Sequence, residues 1–90
     1  MWRVKFSKSA LKQLETLDNP VRQKILTYIS QKLDNTSNPR LHGKLLTGKL
    51  AGYWRYRVEK YRIIAVINDN ELTILLVRIG KRDNIYDKIL

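Results

Sequence analysis

Residues 53 to 79 leave this chain few ways to fold. Three runs rich in aliphatic, aromatic and β-branched residues, Tyr53 to Val58, Tyr61 to Asn68 and Leu72 to Ile79, follow one another in quick succession. Only short turns at Glu59-Lys60 and Asp69-Asn70 separate them. Connections of that length join antiparallel neighbours, so a three-stranded meander is predicted. Asp-Asn suits a tight turn. Glu-Lys is a poor primed-turn pair, so the first register rests on side-chain alternation alone.

Alternation separates the charges from the apolar residues. With Glu59-Lys60 as a two-residue turn, Arg57 falls opposite Arg62 and Arg55 opposite Ile64, which gathers Arg55, Arg57 and Arg62 on one face. A two-residue turn at Asp69-Asn70 would set Val66 opposite Thr73 and extend the arginine face with Leu75 and Val77. The other face collects Trp54, Tyr56, Ile63, Ala65, Ile67, Leu72, Ile74 and Leu76, and is where helices should pack. Like charges directly opposite each other destabilise a sheet. Outward arginines are often merely solvated, but three converging from adjacent strands suit a phosphate, which guanidinium grips bidentately.

The first half supplies the helices. Trp2, Val4 and Phe6 alternate with Arg3 and Lys5 as a short strand. Ser7 can cap a helix whose stripe is Ala10, Leu11, Leu14 and Leu17. "LDNP" breaks it. Asp18 or Asn19 can cap a second helix with Pro20 in its first turn and Val21, Ile25, Ile29 and Leu33 as its stripe, broadened by Leu26 and Tyr28. "DNTSNP" ends it, and residues 40–52 read as a loop or short irregular element. The tail "GKRDNIYDKIL" restarts after a glycine and can end in a helical turn. The whole is an α+β domain spanning 1–90, with the N-terminal strand's place in the sheet left open.

Eighteen lysines and arginines against eight acidic residues give a net charge of +10, a field that favours polyanions such as nucleic acid or an acidic protein. No cysteine is present and His42 is the single histidine, which excludes disulfides and Cys-ligated zinc and leaves no cluster for a His-built metal site; no metal or other cofactor is expected. No apolar run has transmembrane length and no secretory segment opens the chain, so a cytoplasmic location without a membrane partner is expected.

Three motifs carry a family resemblance: "FSKSALKQL", "LAGYWRYRVEKYRII" and "VRIGKRDNIY". Over nearly its whole length the chain resembles the RelE/ParE superfamily of toxins from type II toxin–antitoxin systems, most of all the RelE-type mRNA interferases. The resemblance implies a small microbial-ribonuclease-like fold and an enzyme, a metal-independent endoribonuclease that enters the ribosomal A site. There it would cut mRNA using the RNA's own 2′-hydroxyl as nucleophile and so inhibit translation. It implies the ribosome and mRNA as partners, together with a RelB-like antitoxin bearing a partly disordered, acidic segment.

By the same resemblance the catalytic positions fall on Arg55, Arg57, Arg62, Arg82 and Tyr86, with Lys81 joining the arginines in phosphate binding. Arg62 and Arg82 would stabilise the charge of a pentacoordinate phosphorus. Tyr86 would stack on a nucleotide or assist proton transfer, or else pack the tail onto the sheet. Several relatives carry lysine where this chain has Arg55 and Arg57, and arginine cannot serve as a general base. The 2′-hydroxyl proton must then go to His42, to the ribosome or RNA, or be loosened by the arginine cluster itself. Two other readings remain: a ParE-like gyrase inhibitor without nuclease activity, and a module that only binds nucleic-acid phosphates.

Overall fold

Ser7 starts the fold twice over. In the computed structural model, which describes residues 1–81, strand β1 (Arg3–Phe6) leads into helix α1 (Lys8–Thr16). The Ser7 hydroxyl accepts a hydrogen bond from the Ala10 N–H at 3.0 Å, capping the helix as its sequence position predicts. Helix α2 (Asn19–Tyr28) follows, with Pro20 in its first turn, and runs on through a π-helical turn, Ile29–Leu33. Neither side chain at the predicted cap works as one: Asp18 is the cap residue but its carboxylate makes no capping bond. Arg22 stitches the corner instead, donating through Nη1 to the carbonyls of Glu15 (3.2 Å) and Leu17 (3.1 Å) at the end of α1 and through Nη2 to Asn19 Oδ1 (3.0 Å).

Ala10, Leu14, Ile25, Ile29 and Leu33 are buried, and Leu17, Val21, Leu26 and Tyr28 pack partly against them. Leu11 departs from expectation and is 47% exposed. A helix of three turns lying on a sheet buries one narrow stripe, and Leu11 sits about 100° round from Ala10.

The sheet has five strands in the order β1-β5-β4-β3-β2. Strands β3 (Trp54–Val58), β4 (Tyr61–Asn68) and β5 (Thr73–Lys81) form the expected meander. β1 lies parallel to β5 at one edge, with Arg3 beside Thr73 and Lys5 beside Leu75. At the other edge is β2 (Gly43–Leu45), antiparallel to β3, within the stretch expected to be a loop. Three residues are too few to show a period. Gly43 is required there, because a Cβ would come within 2.9 Å of the buried Tyr56 ring and 3.2 Å of Trp54.

Tyr56, Ile63, Ala65, Ile74, Leu76 and Ile79 line the helix-covered face. Tyr56 is fully buried and its hydroxyl donates to the Pro39 carbonyl; burial pushes its pKa well above the ordinary tyrosine value, so it stays neutral. Arg40 lies over the Trp54 ring, 5.5 Å from its centroid, and makes a bidentate bond to Asp69 (3.1 and 2.7 Å).

The β4–β5 register differs from expectation. The turn spans Asp69 to Leu72, and Thr73 pairs with Asn68 rather than Val66. The Asn68 side chain sets this longer turn, accepting from the N–H groups of Asn70 (3.0 Å) and Glu71 (3.1 Å). Leu72 closes it in the left-handed region (φ 51°) and is 45% exposed, not part of the core. Because the slip is two residues, Ile74 and Leu76 keep their expected core face.

Candidate phosphate-binding face

The β3–β4 hairpin keeps strict alternation. Arg57 pairs with Arg62 and Arg55 with Ile64, which puts Arg55, Arg57 and Arg62 together on the face away from the helices. The turn is tight enough to hold Glu59 in the left-handed region (φ 54°), which costs about 1 kcal/mol for a residue with a Cβ. Arg62 braces it, donating from Nη1 to the carbonyls of Glu59 and Tyr61, both at 3.2 Å. The three guanidiniums therefore sit at different depths: Arg62 is 5% exposed, Arg55 is half-buried and Arg57 reaches solvent.

Arg55 Nε is buried and has no hydrogen-bond partner. A buried guanidinium N–H normally finds an acceptor, because leaving it unpaired costs about 1–3 kcal/mol. An incoming anion would supply one. Among the described residues the ion pairs are Lys24–Glu59 and Arg40–Asp69, so no carboxylate there offsets the charge of Arg55 or Arg57.

The next strand breaks alternation. Ala65 pairs with Leu76 but Ile64 pairs with Arg78, so Val77 and Arg78 together oppose one residue in a β-bulge. Two side chains from the first helical segment hold it. The Ser7 hydroxyl donates to the Val77 carbonyl at 3.2 Å, and Gln13 Oε1 accepts the Ile79 N–H at 2.7 Å. The extra residue turns Ile79 into the core, where it is 2% exposed, and leaves Arg78 on the arginine face.

Arg78 was not singled out from the sequence, yet a signal was there. Unbroken alternation from Leu76 would bury Arg78 and expose Ile79, a conflict that a bulge resolves. Lys44 was also missed. It pairs with Arg55 across β2, a strand too short to anticipate. Lys81 pairs with Tyr61, one residue off the Arg57–Arg62 row, so the pairing does not bring it to the arginine face. His42 is exposed in the turn before β2. Arg82, Tyr86 and the expected helical turn of the tail lie outside the described residues.

This face can hold a phosphate and stabilise negative charge on it; its arginines cannot take up a proton. No group of three His, Asp or Glu side chains among the described residues is placed to hold a metal ion.

Comparison with known proteins places this geometry in a family. Residues 4–86 match the family model of the ParE toxin of the type II toxin–antitoxin system parDE. A RelE-like toxin protein of Escherichia coli is 29% identical over 82 residues, covering 91% of this chain and 84% of its own. Among solved structures, the RelBE2 toxin–antitoxin complex of Mycobacterium tuberculosis contains a chain matched with a TM-score of 0.81 and 26% identity, covering 90% of this chain and 98% of that one. A chain of the archaeal RelE–RelB complex of Pyrococcus horikoshii matches with a TM-score of 0.69 and 26% identity, over 91% and 96% of the two chains. The chain belongs to the ParE toxin family, within the RelE/ParE superfamily of type II toxin–antitoxin toxins.

Proposed function

We propose that this toxin is a ribosome-dependent mRNA endonuclease of the RelE type. The observation that carries the reading is the convergence of Arg55, Arg57 and Arg62 on one face of the β3–β4 hairpin, where no carboxylate among the described residues pairs with Arg55 or Arg57 and the buried Arg55 Nε has no hydrogen-bond partner. In the reaction, the 2′-oxygen of an A-site nucleotide bonds to the adjacent phosphorus while the bond to the 5′-oxygen breaks. The products are a 2′,3′-cyclic phosphate and a 5′-hydroxyl. Arg55 and Arg57 hold the non-bridging oxygens, and Arg62 and Arg82 stabilise the extra charge of the pentacoordinate state. Tyr86 orients a neighbouring base or gives its proton to the departing 5′-oxygen, which otherwise takes one from water. The 2′-hydroxyl proton goes to His42 or to a group of the ribosome or RNA, since the arginines stay protonated. A RelB-like antitoxin with an acidic segment neutralises the +10 toxin.

The test is cell-free translation with mapping of mRNA ends, run beside a gyrase supercoiling assay. Cuts inside the A-site codon that require the ribosome are the expected result, and Arg62→Ala and Arg82→Ala each lower the rate about 10²–10³-fold. Gyrase inhibition with intact mRNA would overturn the reading in favour of a ParE-like gyrase inhibitor. Full toxicity in both arginine variants would overturn the site.

A further inference from the structure

Paired residues across adjacent strands share a face, so the registers define a row: Lys44 on β2, Arg55 on β3, Ile64 on β4 and Arg78 on β5. With strands about 4.8 Å apart, the row is about 14 Å long. The Arg57–Arg62 pair lies two residues further along the strands, about 7 Å away. The ends of the row, Lys44 and Arg78, stand about 14 Å apart, a span wider than a single phosphate. Ile64, which is fully buried, separates Arg55 from Arg78 in the row.

We propose that Lys44 and Arg78 extend the phosphate grip beyond the reacting linkage, holding backbone phosphates of the same RNA chain as it crosses strands β2 to β5. This rests on the nuclease reading for the identity of the polyanion but not for the contacts. Three features support it. Lys44 and Arg78 make no ion pair among the described residues, and the row runs through the orphaned Arg55 Nε. The bulge is latched by Ser7 and Gln13, which fixes Arg78 on this face.

The experiment measures binding of a fluorescently labelled single-stranded RNA of about twelve nucleotides to the full chain, between about 50 and 200 mM salt. Each phosphate contact on a single strand contributes about 0.7 to the slope of log K against log salt. Lys44→Gln and Arg78→Gln should each reduce the slope by about that amount, Arg78→Lys should restore it, and Lys12→Gln on α1 should leave it unchanged. Lys44 is exposed on an edge strand, so its variant reads the row even if Arg78→Gln unfolds. Wild-type slopes in folded Lys44→Gln and Arg78→Gln would overturn the proposal. So would loss of affinity for polyglutamate alone, which would assign the row to an acidic protein. If the slopes fall as expected while wild-type protein cuts no ribosome-bound mRNA, the RNA contacts stand and the nuclease reading fails.

Discussion

The two hairpins of the meander share strand β4 yet obey different rules. In β3–β4 a two-residue turn and unbroken alternation carry Arg57 to Arg62, as the spacing of the residues dictates. In β4–β5 an Asn68-capped turn slips the register by two, and a bulge at Val77–Arg78 then breaks alternation. The first hairpin keeps an unfavourable cross-strand arginine pair. The second adds another arginine to the same face, at the expense of a regular ladder. The Arg57–Arg62 pair and the bulge both concentrate positive charge away from the core, where stability alone would disperse it.

The largest expected effect on stability is at the edge of the first hairpin. Gly43→Ala drives a Cβ to 2.9 Å from the Tyr56 ring, and that ring is fully buried. Overpacking of this kind costs about 1–3 kcal/mol, readable as a lower urea midpoint, and should free β2 from β3. At the second hairpin, Gln13→Ala leaves the Ile79 N–H without its acceptor. The expected loss is about 1–2 kcal/mol, with faster amide exchange at Ile79. Unchanged exchange there would mean that the bulge does not depend on its latch.

The smallest effect is at the second turn. The Arg40 guanidinium beside Asp69 holds that carboxyl below the ordinary carboxylate range. The stabilisation from this pair is present above the unfolded-state pKa and is lost as pH falls through the lower folded-state value. Asp69→Asn should therefore unfold slightly more easily at neutral pH and match the parent in acid. Salt should narrow the neutral-pH gap, since the pair lies at the surface.

The difference between the hairpins also marks what could be read without a structure. Period-2 alternation fixed the faces of β3 and β4, and the i, i+4 stripe of Ile25, Ile29 and Leu33 marked the buried side of the second helical segment. Those patterns are local. The β4–β5 register depended on one asparagine side chain capping its own turn, and the bulge depended on Ser7 and Gln13, more than sixty residues away in sequence. β2 was illegible because three residues carry no period. Of the candidate site, Arg55, Arg57 and Arg62 were legible because they lie on the regular hairpin. Arg78 and Lys44 were not, because tertiary pairing decides their face.

Arg57→Ala tests the central claim most directly, because Arg57 is exposed and contributes no packing to the core. Removing it relieves the cross-strand repulsion with Arg62, so the stability read from urea unfolding should hold or rise, by up to about 0.5 kcal/mol. On the same preparation, single-turnover cleavage of ribosome-bound mRNA should slow at least tenfold and up to about 10³-fold. A stable variant that cuts at the wild-type rate would contradict the account.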